Sequence, residues 1–76
     1  MLLVQNMTPT EALEWIKSGN RVMDENGHYS IINGIITLRY HEDVQSPIYN
    51  PPYNDWVFTD DEDFLKNSTG KIYIKK

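Results

Sequence analysis

The stretch 28-HYSIINGIITLRY-40 determines the fold predicted for this chain of 76 residues. Within it, Asn33-Gly34 separates two runs rich in isoleucine, and both residues of this pair accept the positive φ angles of a type I′ turn. A two-residue turn also fixes the register of the two strands, so Ile32 is predicted to face Ile35. The stretch therefore predicts a β-hairpin in which each cross-strand pair is defined.

The register divides the hairpin residues between two faces. The face predicted to pack on a helix carries Tyr29, Ile31, Ile36, Leu38 and Tyr40. The face predicted to meet solvent or a partner carries His28, Ser30, Ile32, Ile35, Thr37 and Arg39. On this face the guanidinium of Arg39 lies opposite the imidazole of His28. The hydroxyls of Ser30 and Thr37 belong to the next cross-strand pair but one, on the same face. Together these groups form a candidate site for an anion such as phosphate. An ordinary polar sheet face is the alternative interpretation.

The segment before the hairpin predicts a helix and a short strand. Thr8-Pro9-Thr10-Glu11 has the residue types of a capping box, with proline at the first helical position. The helix is predicted to run from Pro9 to about Ser18 and to end at Gly19, which tolerates left-handed geometry. A short strand over residues 21–23 and a turn over residues 24–27 are predicted to follow.

The segment after the hairpin predicts two more elements beyond a loop. Residues 56–59 have strand character, and Thr59-Asp60-Asp61-Glu62 repeats the capping-box pattern at the start of a short helix. Residues 71–75 alternate between apolar and polar types, which predicts a final strand with Ile72 and Ile74 directed inward.

Together these segments predict a single α+β domain over residues 1–76. Its N-terminal helix packs on a small antiparallel sheet of about four to five strands, with a long Pro/Tyr loop and a short acidic second helix. A domain of this size buries only about 60% of its unfolded surface. The chain has no cysteine for disulfides, so we expect aromatic packing or homo-oligomerisation to add stability.

The composition excludes several classes of function. Without cysteine there is no thiol catalysis, zinc finger or iron–sulfur cluster, and the two histidines show no metal-ligand spacing. The formal charge of −4 makes direct binding to nucleic acid a poor expectation. No apolar run approaches the roughly 20 residues that span a membrane, and no secretory signal is recognisable. We therefore expect a cytoplasmic protein that is not an enzyme, with no catalytic residue, metal or cofactor.

The loop over residues 41–55 is the most informative segment for binding. Its three prolines lower the entropy lost on binding, and Tyr49 and Tyr53 offer flat surfaces on which a ring can stack. Such a loop suits a purine, a peptide or a protein groove. Alternatively, the tyrosines cover the sheet edge and the prolines protect it from aggregation.

The acidic run Asp60, Asp61, Glu62 and Asp63 is the second candidate for a contact surface. Four successive carboxylates can imitate the phosphates of a nucleic acid and compete for a basic channel. The alternative is structural, because acids in the first turn of a helix are favoured by the helix dipole.

The segments 11-EALEWIKSGNRV-22 and 54-NDWVF-58 resemble small phage and prophage proteins of the Thoeris anti-defence kind. In that group an N-terminal helix of the "EAL…G.RV" type leads into a sheet, and an aspartate–tryptophan strand lies near the end. The resemblance covers about 25 residues, to which Arg21 and Trp56 belong. The glycine–tryptophan usual after the basic residue is missing here, and the chain continues past Trp56, so no ligand residue is carried over with it.

The resemblance implies an oligomeric protein that sequesters a nucleotide signal of bacterial immunity, and relatives have also been described as anti-CRISPR proteins. The leading hypothesis is accordingly a non-enzymatic inhibitor in the bacterial host cytoplasm that binds a nucleotide-type small molecule. Its candidate ligand-binding residues are Arg21, His28, Arg39, Tyr49 and Tyr53. The alternative is an acidic inhibitor that blocks a host defence protein through residues 60–63. A third hypothesis is a small phage domain whose only partner is a second copy of itself.

Overall fold

A six-stranded antiparallel sheet carries two helices in the residues that the computed structural model describes, 6–41 and 55–75. The strands are β1 (Asn6–Met7), β2 (Val22–Met23), β3 (Gly27–Ile32), β4 (Ile35–Tyr40), β5 (Asp55–Val57) and β6 (Tyr73–Lys75). The helices are α1 (Pro9–Lys17) and α2 (Asp61–Asn67). The strands lie in the order β1-β6-β2-β3-β4-β5 across the sheet. The predicted α+β class is confirmed, with β1 as a strand that the sequence did not predict.

The hairpin has the register that its turn predicts. Asn33 and Gly34 have φ angles of 53° and 78°, and Ile32 pairs with Ile35. The pairing continues to His28 opposite Arg39 and ends with Gly27 opposite Tyr40. The N-terminal helix α1 packs on the face that carries Tyr29, as predicted, and α2 packs there as well.

The core is built around a cluster of aromatic rings on that face. The ring of Tyr29 lies 5.0 Å from that of Tyr73, 6.0 Å from Phe64 and 6.2 Å from Phe58, measured between centroids. The remaining buried apolar residues are Ala12, Ile16, Val22, Ile36 and Leu38. Aromatic pairs of this kind each add about 0.5–1.5 kcal/mol beyond the area they bury. Aromatic side chains therefore lie in the core, as the sequence predicts.

The predicted orientation of the final strand was wrong. Tyr73 is the inward residue of β6, at 1% exposure, whereas Ile72 and Ile74 are 63% and 36% exposed. The tyrosine adds its ring to the aromatic core, and its hydroxyl lies 2.6 Å from the Oγ of Ser68. A buried phenol with a hydrogen-bond partner therefore takes the position that alternation alone assigns to isoleucine.

Two hairpin residues also differ from their predicted exposure. Thr37 lies on the face opposite the helices and is only 4% exposed, between its strand partners Ser30 and Val57. Its hydroxyl donates to the carbonyl of Ile35, so it is not available to the predicted anion site. Ile31, predicted to pack on a helix, is 37% exposed one pair from the turn.

Both helices begin with side-chain caps, but the second cap is displaced by one residue. In α1 the predicted capping box is present, with reciprocal hydrogen bonds between Thr8 and Glu11. In α2 the N-cap is Asp60, whose Oδ1 accepts from the backbone N–H of Asp63 at 2.7 Å. The predicted cap, Thr59, instead donates its backbone N–H to the carboxylate of Asp63.

The displaced cap gives a prediction that separates the two adjacent residues. Asp60→Ala should lower the free energy of unfolding by about 1 kcal/mol, because the N–H of Asp63 loses its acceptor. In a domain of this size that loss corresponds to a fall of roughly 4–8 °C in melting temperature. Thr59→Ala serves as the matched control and should melt close to the parent protein, since its contact is made by its backbone. Equal losses from both variants in a calorimetric scan would contradict the assignment of Asp60 as the cap.

Candidate ligand site

A pocket of about 190 Å³ opens on the helix-bearing face of the sheet, beside the C-terminal end of α2. Its residues come from the turn before β3, from the strands β3, β4, β5 and β6, from the position after β5, from the last residue of α2 and from the segment after α2. They are Asn26, Tyr29, Leu38, Tyr40, Trp56, Phe58, Asn67, Lys71 and Tyr73. The pocket is smaller than the roughly 300–1,000 Å³ of typical small-molecule sites, which favours one small ring system over a whole dinucleotide.

The hairpin register explains how the aromatic part of this pocket forms. Leu38 pairs with Trp56 across β4 and β5, so these two side chains share a face with Tyr40. Gly27 stands opposite Tyr40, and a Cβ there would meet the backbone of Arg39 and Tyr40, so the glycine lets β3 and β4 approach closely beside the pocket. Buried apolar groups therefore form the floor, while the half-buried rings of Tyr40 and Trp56 stand at the rim.

A buried carboxylate, that of Asp24, organises the polar part of the pocket. Its Oδ1 accepts from the backbone N–H groups of Asn26 at 2.9 Å and Gly27 at 3.2 Å. Its Oδ2 accepts from the hydroxyl of Tyr29 at 2.7 Å and from the Nζ of Lys71 at 3.3 Å. The Asp24 side chain is 1% exposed and that of Lys71 is 31% exposed. The cation of the pocket is thus paired with a carboxylate beneath it.

The hydroxyls of the two tyrosines under the pocket are held in their neutral form. Burial raises the pKa of Tyr29, and the hydrogen bond to the Asp24 carboxylate and its negative charge raise it further. Burial also raises the pKa of Tyr73. Ser68 donates its hydroxyl to the carbonyl of Phe64, so the 2.6 Å contact between Ser68 and Tyr73 has the tyrosine as donor. Both phenols therefore donate their protons to acceptors within the fold.

These raised pKa values predict a loss of stability in alkali. Above a pH of about 10 the tyrosines of the unfolded chain lose protons that Tyr29 and Tyr73 keep in the folded protein. The stability that these two tyrosines contribute is fully present below that pH. Above it, the free energy of unfolding falls by about 1.4 kcal/mol per pH unit for each buried phenol. Denaturant titrations on either side of this pH measure the slope. An unchanged slope in the double variant Tyr29→Phe, Tyr73→Phe would show that other groups cause it.

The predicted anion site lies on the opposite face of the sheet and is already neutralised. The guanidinium of Arg39 donates from Nε and Nη2 to the two carboxylate oxygens of Asp55, each at 3.1 Å. This ion pair raises the pKa of Arg39. His28 pairs with Arg39 as predicted, but its ring meets that of His41 edge-on at 4.8 Å. The register was right, while the role of Arg39 as a free anion ligand is not supported.

The other predicted ligand residues are not brought to this pocket in the described part of the chain. Arg21 is exposed just before β2 and is not among the lining residues. Tyr49 and Tyr53, with most of the Pro/Tyr loop, lie outside the described residues. Trp56, which belongs to the segment resembling the anti-defence proteins, does line the pocket.

Structural contacts already use most of the acidic run. Asp60 caps α2, Asp61 forms an ion pair with Lys17 at 2.8 Å, and Asp63 accepts from the backbone of Thr59. The carboxylate of Asp63 also accepts from the side-chain amide of Asn67. These contacts favour the structural interpretation of the run over a surface that mimics phosphates.

Sequence reasoning missed Asn26, Asn67 and Lys71, the polar groups of the pocket. The hairpin register could have indicated that Tyr40 lies opposite Gly27, but the sequence carries no local signal for the pairing of Lys71 with Asp24. Among residues 6–41 and 55–75 there is no cluster of three or more potential metal ligands. No helix in the same residues is long and apolar enough to cross a membrane.

Comparison of the chain with protein-family models, with curated proteins and with solved structures gives no match. The resemblance to the Thoeris anti-defence proteins therefore stays a hypothesis that depends on the quoted residues. The function has to be argued from the chemistry of the pocket.

Proposed function

We propose that this protein is a non-enzymatic binding protein that takes the ring of a nucleotide-type small molecule into the pocket beside α2. In the bacterial host it would act as a phage-type anti-defence inhibitor that sequesters a nucleotide immune signal. The observation that carries the proposal is the combination of two aromatic rings at the rim, an apolar floor and polar side chains in one pocket.

This combination fits the chemistry of a nucleobase. Tyr40 and Trp56 offer ring faces on which a base can stack, and stacking is worth about 1–3 kcal/mol per base in proteins that bind single strands. Asn26 offers a side-chain amide and Asn67 a side-chain carbonyl oxygen, and both can pair with the polar edge of a ring. Small-molecule pockets typically combine an apolar lining with a few polar groups in this way.

The acidic-inhibitor alternative has less support. Three of its four acidic residues already cap a helix, form an ion pair or accept hydrogen bonds within the fold. Homo-oligomerisation stays a prediction. Native mass spectrometry of the protein purified from a defence-active host would report the oligomeric state and any retained small molecule together.

The fluorescence of Trp56 tests the proposed function directly. The chain has two tryptophans, so Trp15→Phe leaves Trp56 at the rim of the pocket as the sole tryptophan reporter. We expect nucleosides and nucleotides to quench its emission with saturation, and to raise the melting temperature, as binding to the folded state requires. Trp56→Phe is the matched control, because it keeps only Trp15, which is not in the lining. No response across a broad panel of nucleosides, mononucleotides and cyclic nucleotides would contradict the proposal.

A further inference from the structure

We infer that the pocket recognises the edge of an uncharged ring, where an N–H donor stands beside an acceptor, and leaves the phosphate outside. The inference rests on the proposed function and deepens it by naming the part of the ligand that is recognised. It is based on which hydrogen-bond donors and acceptors of the pocket already have partners within the protein and which remain for a ligand.

The charge of the pocket is balanced without a ligand. The Nζ of Lys71 lies 3.3 Å from the Oδ2 of Asp24, whose side chain is 1% exposed. A phosphate that drew Lys71 away would leave this carboxylate without its cation, and a phosphate close to it would be repelled. The pair therefore disfavours a phosphate in the pocket and leaves the remaining ammonium hydrogens of Lys71 as donors to a neutral group.

Asn67 supplies the complementary acceptor. Its Nδ2 donates to the backbone carbonyl of Asp63 at 2.8 Å and to the carboxylate of Asp63 at 3.0 Å. These two contacts use both amide hydrogens and fix the orientation of the side chain, since a carboxylate requires a donor. The carbonyl Oδ1 is left as the polar group of Asn67 that a ligand can use.

Lys71 and Asn67 both line the pocket, four residues apart in the chain, so the first can supply a donor, Nζ, and the second an acceptor, Oδ1. A ring that satisfies both has an N–H beside an acceptor atom, as the pairing edges of adenine, guanine and cytosine do. With Tyr40 and Trp56 at the rim, the ring can stack while its edge meets these two groups. Stacking holds the ring, and the polar pair selects its edge.

The first experiment compares ligands that share a base and differ in charge. With Trp15→Phe as the reporter protein, adenosine, guanosine and cytidine should bind within about threefold of their 5′-monophosphates, because Asp24 already neutralises the ammonium of Lys71. Ribose 5-phosphate and inorganic phosphate should not compete. Affinity that rises tenfold or more (about 1.4 kcal/mol) with the monophosphate, or competition by ribose 5-phosphate, would overturn the inference while leaving the proposed function in place.

The second experiment tests the donor–acceptor pair. Purine riboside lacks the amino group of adenosine and so loses one hydrogen bond to Asn67; it should bind up to about tenfold more weakly than adenosine to the parent protein. Asn67→Ala should abolish this difference, and the exposed Lys66→Ala on the same helix should preserve it. Circular dichroism confirms that each variant is folded. Equal discrimination by the Asn67→Ala and Lys66→Ala variants would refute the role of Asn67. Failure of every base-bearing ligand to bind would refute the proposed function and this inference together.

Discussion

Replacing Asp24 by alanine should remove a large share of the protein's free energy of unfolding. The substitution leaves the hydroxyl of Tyr29, the Nζ of Lys71 and two backbone N–H groups without their common acceptor. Removing one partner of a buried charged network costs about 3–5 kcal/mol. That is comparable with the whole stability expected of a chain of 76 residues, about 4–11 kcal/mol. Denaturant titration followed by circular dichroism measures the loss.

Two further variants separate the charge of Asp24 from the general effect of a substitution in this turn. Asp24→Asn keeps the size of the side chain and one carbonyl acceptor, so it should cost less than alanine, about 1–3 kcal/mol. Glu25→Ala changes the adjacent exposed acid and should stay within about 0.5 kcal/mol of the parent protein. If Asp24→Ala were as stable as Glu25→Ala, the buried carboxylate would not be the organising group of the turn.

The parts of the fold that were predicted correctly depend on local chemistry. Asn33-Gly34 specifies a turn whose twist and length set the register, and Thr8 with Glu11 specifies a helix start within four residues. The errors arose where contacts with residues distant in the sequence determine the local structure. The orientation of β6 depends on the space that Tyr29 and Phe64 leave for Tyr73, which no alternation pattern records.

The position of β1 depends on a distant partner as well. Its two residues pair with Ile74 and Tyr73 at the other end of the chain, and so short a strand has no periodicity of its own. The cap of α2 shows a third kind of error, because Thr59 and Asp60 are both favoured N-cap residues. The packing of Phe64 into the core sets the start of the helix, and Asp60 then meets the N–H of Asp63.

The candidate site was less predictable than the fold. The register correctly placed His28 beside Arg39, but no sequence pattern indicates that Asp55 neutralises the guanidinium. The pocket itself joins Lys71 to Asp24 across 47 positions of sequence. A pocket assembled from a turn, four strands and the end of a helix becomes visible only when the chain is folded.

Gly27→Ala should be almost as damaging as the loss of Asp24, for a purely steric reason. A Cβ at this position would lie 2.7 Å from the Cα of Tyr40 and 2.8 Å from the carbonyl carbon of Arg39, and nearer still to the carbonyl oxygen of Arg39. These are backbone atoms of the paired strand, so no side-chain rotation relieves the contact. The strands have to separate at this end of the hairpin, at a cost of about 3 kcal/mol and a fall in melting temperature of at least 10 °C.

Gly70→Ala is the matched control, because it changes glycine to alanine without a clash. Gly70 has a φ of 78°, and no atom lies within 4 Å of the Cβ position there, so only the left-handed backbone is penalised, by about 1–2 kcal/mol. Gly27→Ala should also weaken ligand binding in protein that remains folded, because separating the strands moves Tyr40 away from Asn26 across the pocket. A Gly27→Ala protein that melted at a higher temperature than Gly70→Ala and bound nucleosides normally would contradict the close approach of β3 and β4 at this position. It would also contradict the role of this approach in shaping the pocket.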